Sequence, residues 1–357
     1  MMLRIAQVAP LIESVPPKYY GGTERVVSYL TEALVRQGHD VTLFASGDSR
    51  TAARLVPVID CALRLHPAGL DPLAYHAIQL DRVLQQADEF DVIHFHIDVL
   101  HFPLVRYLST PHLTTMHGRL DLPHLPSVFR AFSQMPLVSI SHDQRTPVPF
   151  ANWQSTVYNG IPAGYYTFND KPGDYLAFLG RISPEKGIEQ AIEIACRSGR
   201  QLRIAAKVDK VDKEFFRARV RPHLNHPLVE YLGEINEHEK DDFLGNAQAL
   251  LFPIDWPEPF GLTMIEAMAV GTPVIAFRRG SVPEVMCDGV SGYIVQTVDE
   301  AIAAVNRVKG LSRARCRQYF EQRFSDQVMA KGYLRIYQQL MEPRSLQTAA
   351  GGVRWSS

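Results

Sequence analysis

Asp255-Trp256-Pro257-Glu258-Pro259-Phe260-Gly261-Leu262-Thr263-Met264-Ile265-Glu266-Ala267 is the stretch on which the reading of this chain turns. Before it, Ala249 to Phe252 is a short apolar run, as a buried strand is. After its first acid, Thr263 to Val270 reads as a helix, and Gly271 is placed to close it. Glu258 therefore sits on a loop and Glu266 about one turn into a helix. Between them, Phe260, Gly261, Leu262 and Thr263 bring N–H groups to a helix amino terminus, where negative charge is favoured. Carboxylates accept hydrogen bonds from hydroxyls, so two of them beside an anion site suit a ligand made of sugar, phosphate and ribose. The plainer reading is a capping acid followed by a solvated helix acid.

Working outward, the same strand–loop–helix unit recurs. Strands are predicted near Tyr175–Leu179, Leu202–Ala206, Val229–Leu232, Pro273–Phe277 and Gly292–Val295, with a helix capped by Asn236 between two of them. In the first half, Ile5–Ala9, Asp40–Ala45, Val92–Phe95, Leu113–Met116 and Leu137–Ile140 read as strands. Between the first two lies a helix from about Gly22 to Gln37, with Val26, Val27, Leu30, Ala33 and Leu34 on one face. Alternation of this kind predicts parallel sheets built from βαβ units. It pauses over residues 146–173, which hold four prolines and little periodicity, so this segment is expected to connect two domains. Two such sheets facing each other create one cleft, lined by loops from the carboxyl ends of strands.

Bulk properties agree with that division. The chain has 357 residues, too many for one ordinary core, and it is 46% hydrophobic and 21% charged. A net charge of −1 offers no electrostatic reason for binding nucleic acid. No apolar run reaches the roughly 20 residues of a membrane span, and the start reads as a buried strand rather than a signal peptide. The four cysteines, Cys61, Cys196, Cys287 and Cys316, are scattered, which fits a reducing cytoplasm.

Other positions carry chemistry. Gly21-Gly22-Thr23-Glu24 opens the first long helix, and its glycines would admit a ligand close to backbone N–H groups. It is not a GxGxxG loop, and the chain has no GxxxxGK[ST] loop. Gly180-Arg181-Ile182-Ser183-Pro184-Glu185-Lys186-Gly187 puts two cations in one post-strand loop, suited to a diphosphate that gains charge as it leaves. Solvated surface is the other reading of that pair. Seven of the 13 histidines lie between His94 and His142, yet no carboxylate or cysteine set completes a metal site around His94 and His96. His117 ends a strand and precedes Gly118, a position facing the cleft; taken alone it fits a structural role as well as a functional one.

Taken in order, these elements resemble the retaining group-1 (family 4) glycosyltransferases. The resemblance rests on Pro16-Pro17-Lys18-Tyr19-Tyr20-Gly21-Gly22-Thr23-Glu24, His117-Gly118, Ser139-Ile140-Ser141, Asn159-Gly160-Ile161, Gly180-Arg181 with Lys186-Gly187, the EX7E pair Glu258/Glu266, and Gly280-Ser281-Val282-Pro283-Glu284. It implies an α/β fold of two facing Rossmann-like domains (GT-B) with an interdomain active-site cleft. Residues 1–165 would form the acceptor-side domain and 166–327 the nucleotide-sugar domain. Residues 328–345 would be a helix packing back on the first domain, and 346–357 a loose tail.

The resemblance also implies roles. Arg181 and Lys186 hold the donor diphosphate, Glu266 the ribose, and Glu258 with the backbone at Phe260 and Gly261 the transferred sugar. His117 lies against that sugar, and the Gly21-Gly22 loop closes over the phosphates. No metal and no cofactor is implied, and UDP-glucose is the best single donor from its frequency in the family. Val229 to Ile235 is the candidate backbone for the nucleotide base. Members often carry a glycine after the matching strand, where this chain has Ala206-Lys207-Val208 in the loop near the base. Residues 1–150 hold 12 Lys and Arg against 14 Asp and Glu, so a small soluble acceptor is expected rather than a membrane surface. Two other functions fit the same architecture: a nucleotide-sugar epimerase or hydrolase, and a non-catalytic sugar-nucleotide-binding module.

Overall fold

A computed structural model describes residues 1–19 and 21–342; the expected tail at 346–357 lies outside the described residues. Seven parallel strands form the first sheet: β1 (Arg4–Val8), β2 (Asp40–Ala45), β3 (Arg54–Pro57), β4 (Val92–Phe95), β5 (His112–Met116), β6 (Leu137–Ser139) and β7 (Trp153–Thr156). Their order is β3-β2-β1-β4-β5-β6-β7. Six parallel strands form the second: β8 (Tyr175–Arg181), β9 (Gln201–Lys207), β10 (Val229–Gly233), β11 (Ala247–Phe252), β12 (Val274–Phe277) and β13 (Gly292–Val295). Their order is β10-β9-β8-β11-β12-β13.

Both sheets reverse direction of winding once, between β1 and β4 and between β8 and β11. Helices cover both faces, so central strands such as Ala-Gln-Ala-Leu-Leu-Phe of β11 are buried at every position. A crevice opens outside the carboxyl ends of the strands at each reversal, where ligands bind in open α/β sheets. Arg181 ends β8, and the Glu258 loop follows β11. His96 follows β4 directly, and His117 follows β5.

The chain crosses between the sheets twice. It leaves the first after β7, and it returns at Ser325, which bridges to Ile161. The closing helix Asp326–Met341 then lies on the first sheet's side, where Arg36 pairs with Asp326 and Gln7 bonds Tyr337. Segment 146–173, expected as connection only, contains β7. This strand and β3, which the sequence reading also lacks, are the two edges of the first sheet. Edge strands bury less, and neither has a fully buried residue, so the apolar signature that marks the central strands is missing. Among the described residues no helix is long and apolar enough to cross a membrane.

Candidate active site

One cavity of about 390 Å³ lies between the sheets. Gly21, Gly22, His117, Arg181, Lys186, Glu258, Phe260, Gly261, Leu262, Thr263 and Glu266 all line it. The sequence therefore nominated residues that folding brings to one place, from both halves of the chain.

The second-half wall is built on the loop after β11. The helix there runs Leu262–Ala269, one residue earlier than expected at each end, and its cap is Gly261 at φ 81° with no side-chain capping bond. A Cβ on Gly261 would stand 2.7 Å from the terminal methyl of Met264, which could move aside, so it is the left-handed backbone conformation that favours glycine here. Behind the loop, Gly280 at φ +52° lets the Glu258 backbone approach so closely that a Cβ would sit 2.4 Å from its nitrogen. Ser281 fastens the same turn, donating from N to Glu258 O (3.0 Å) and from Oγ to Phe260 O (2.9 Å). Three residues on, Glu284 crosses to the first half and accepts from the backbone N–H groups of His142 and Asp143, both at 2.7 Å. The Gly280–Glu284 stretch thus supports the acid loop and ties it to the opposite sheet.

Charge on this wall is arranged in pairs. Lys186 meets Glu258, whose Oε2 also accepts from Trp256 Nε1 at 3.0 Å. The Lys186 ammonium lies 4.9 Å from the Trp256 ring centroid. Arg181 pairs with Glu185 at 2.5 Å and approaches Asp212 (3.6 Å) and Asp209 (3.7 Å). The two cations nominated for a diphosphate are therefore already engaged by carboxylates. Sequence proximity predicts Arg181–Glu185, whereas Lys186–Glu258 spans 72 positions.

A second ionic run contains Glu266 and otherwise residues without a sequence nomination. Arg25 reaches Glu237 across the cleft at 3.1 Å, Glu237 meets Lys240 at 2.5 Å, and Lys240 meets Glu266 at 3.2 Å. Burial pulls the Lys240 ammonium toward losing its proton, but Glu266 and Glu237 outweigh it and hold the pKa above the ordinary lysine value. Burial likewise opposes charge on Glu237, which Lys240 and Arg25 hold below the usual range. Two signals for this run exist in the sequence. Arg25 follows the Gly21–Glu24 motif directly, and Glu237 and Lys240 lie one turn apart on the helix Glu237–Gly245.

Apart from Lys18 and Arg25 near the first helix, the first-half wall is neutral around His117. His117 joins a buried polar cluster through one ring nitrogen: its Nε2 is 2.9 Å from His96 Nδ1, and His96 Nε2 is 2.8 Å from Gln7 Oε1. Desolvation pushes the His117 pKa down to about 4 and those of His94 and His96 well below their ordinary value. His94 and His96 have their ring nitrogens committed to Tyr337, Thr115, Gln7 and His117. Among the described residues, the group with metal-ligand spacing is Asp60, Cys61 and His66, none of which lines the cavity.

Comparison with known proteins follows the two halves. A model of glycosyl transferases group 1 matches residues 167–323, and one of glycosyltransferase family 4 matches residues 20–148. A glycogen synthase from Mycobacterium tuberculosis is 26% identical over 384 aligned residues, covering 90% of this chain and 92% of its own. AviGT4, a glycosyltransferase involved in avilamycin A biosynthesis, superposes with a TM-score of 0.74 at 24% identity, over 95% of this chain and 98% of its own. HepE from Anabaena, solved with UDP-glucose, superposes with a TM-score of 0.72 at 16% identity, over 94% of this chain and 100% of its own. The two family models span most of the sequence and the facing sheets share the architecture of those structures, so the chain belongs to the group-1 (family 4) glycosyltransferases and has the GT-B fold.

Proposed function

We propose that this glycosyltransferase moves a hexose from a nucleotide-sugar donor to a small soluble acceptor, with retention of anomeric configuration and without a metal ion. The observation that carries the reading is the placement of Lys186–Glu258 and Lys240–Glu266 on either side of one uncapped helix amino terminus, inside one cavity. In this reading residues 1–165 and 166–327 are the two domains, and the described part of 328–345, up to residue 342, returns to the first.

Arg181 and Lys186 bind the diphosphate and stabilise the charge it gains on leaving, the part that a metal plays in other transferases. The N–H groups at Leu262 and Thr263 add the positive end of the helix. Glu266 accepts from the ribose hydroxyls. Glu258 and the backbone at Phe260 and Gly261 hold the sugar, His117 lies against it, and Gly21-Gly22 covers the phosphates. The bond from the anomeric carbon to the diphosphate oxygen breaks, and the acceptor oxygen bonds to the same face. The acceptor's proton passes to the departing phosphate. Backbone around Glu234 and Ile235, which line the cavity beside Lys207, takes the base.

UDP-glucose is the donor placed first, by family frequency; HepE, which shares the fold, holds that molecule in its structure. Four free cysteines fit work in the cytoplasm. A screen of UDP-, ADP- and GDP-sugars by thermal shift and donor hydrolysis tests the donor, and NMR of the product's anomeric centre tests retention. Product of inverted configuration would refute retention, and rapid epimer formation without acceptor would refute transfer.

A further inference from the structure

Beyond His117, the first-half wall continues as a hydrogen-bonded chain that the proposed reaction does not use. His117 Nε2 meets His96 Nδ1 at 2.9 Å, and His96 Nε2 meets Gln7 Oε1 at 2.8 Å. Gln7 Nε2 donates to Tyr337 OH at 3.1 Å, and that hydroxyl is 2.8 Å from His94 Nδ1. His94 Nε2 is 2.7 Å from Thr115 Oγ1, which donates to Tyr333 OH at 3.0 Å. Gln7, His94, Thr115, Tyr333 and Tyr337 are each 0% exposed and His96 is 2% exposed, so these groups are satisfied by one another rather than by bulk solvent.

Proton accounting then leaves little freedom. An amide oxygen only accepts, so His96 must carry its hydrogen on Nε2. A neutral imidazole has one N–H, so His96 Nδ1 is an acceptor and His117 Nε2 must donate to it. His117, neutral by the same rule, has a bare Nδ1. On the other side of Gln7 the sense is unbroken: Tyr337 takes the amide hydrogen and gives its own to His94, His94 gives its Nε2 hydrogen to Thr115, and Thr115 gives to Tyr333. Every link runs one way. Burial keeps all three histidines uncharged, as this accounting requires.

We propose that Gln7, His96 and Tyr337 are positioning residues that hold His117 as its Nε2–H tautomer, so that Nδ1 offers a lone pair to the cleft and accepts from a hydroxyl of the transferred sugar. This rests on the placement of the sugar beside His117 in the proposed function. A lone pair at that point favours a donor sugar with a hydroxyl there and disfavours one with a hydrogen, fluorine or carboxylate, none of which donates at neutral pH. Because Tyr337 belongs to the helix Asp326–Met341, which follows the second crossing between the sheets, the chain also ties that helix to the sugar site.

The test begins with the full-length chain, labelled with ¹⁵N histidine, in two-bond ¹H–¹⁵N spectra at pH 7.5. His94, His96 and His117 are expected as neutral rings with the hydrogen on Nε2. Hydrogen on Nδ1 of His96 and His117, which reverses the chain, overturns the proposal. Gln7→Leu removes the one-way connector without adding charge. Its His117 should become a mixture of tautomers. Its kcat should fall about tenfold with KM within about twofold, and its preference for the hydroxyl-bearing donor over the deoxy analogue should shrink. A Gln7→Leu chain with an unmixed Nε2–H signal and full kcat overturns the proposal. If that variant fails to fold, Tyr337→Phe deletes one oxygen and is read in the same way. The spectra need no donor, so they fail or succeed apart from the functional reading. An Nε2–H signal in a chain that turns over no nucleotide-sugar would keep the tautomer and overturn the sugar contact.

Discussion

The two walls of the cleft bury polar groups by opposite means. The second-half wall keeps its groups charged and pairs them: Lys186 with Glu258, Lys240 with Glu237 and Glu266, Arg181 with Glu185. Around His117 the first-half wall keeps its groups neutral and chains them, His117 to His96 to Gln7, with desolvation holding the histidines unprotonated, while Arg25 reaches over to the ionic wall. In the proposed reaction, charge develops at the diphosphate and at the anomeric carbon. Paired ions answer that need because they are oriented before it arises and require no reorganisation. A neutral histidine contributes direction instead of charge. In that proposal one wall drives departure of the leaving group while the other holds the sugar in place.

Breaking the ionic wall should cost most. Glu258→Gln is expected to lower kcat by about 2–4 kcal/mol of transition-state stabilisation, with a smaller change in KM. Steady-state kinetics at saturating donor reads this, and a change confined to KM would remove Glu258 from the reacting sugar. Next should come Arg181→Ala, which is expected to harm kcat and KM together, since the diphosphate is charged before transfer and more so during it. Unchanged inhibition by the free nucleoside diphosphate in this variant would contradict the diphosphate assignment. His117→Ala tests the neutral wall and should fall mainly on kcat, as Glu258→Gln does. Glu266→Gln should raise KM about tenfold with little loss of kcat, because ribose bonding changes little during transfer. Abolished turnover there would exchange the roles of the two acids.

The smallest effect separates the walls by pH. His117 titrates at about 4 in the folded chain against an ordinary 6.5, so below 6.5 the unfolded chain binds the proton first. Its contribution to stability is complete above about 6.5 and is lost as pH falls toward about 4. Melting temperature should decline over that window, and His117→Gln should flatten the decline. A curve unaffected by the substitution would mean that the ring is not held neutral by burial.

Much of this was legible in the residues and some was not. The Glu258–Glu266 spacing, the glycine between the acids and the Asn236 cap are local patterns, and the structure contains the helices they predict. Gly280 was quoted only as part of a family pattern; its reason, the Glu258 backbone against its α-carbon, lies 22 positions away. β3 and β7 were missed because edge strands lack the apolar run that identifies central ones. Arg25 and Lys240 have weak signals beside stronger motifs, and their partners lie across the cleft or on another helix.

By itself the sequence determined the alternation of strands and helices, the two-sheet α/β class, and which short motifs would fall at the carboxyl ends of strands. Those follow from helix and strand periods, which act over a few residues. Only the tertiary structure decided who partners whom. Lys186 finds Glu258 across 72 positions, and Gln7 finds Tyr337 across 330. Charge in the cleft and the protons on its histidines depend on those long-range pairs. Desolvation and hydrogen-bond partnership are properties of a packed interior, and no local pattern of residues encodes them.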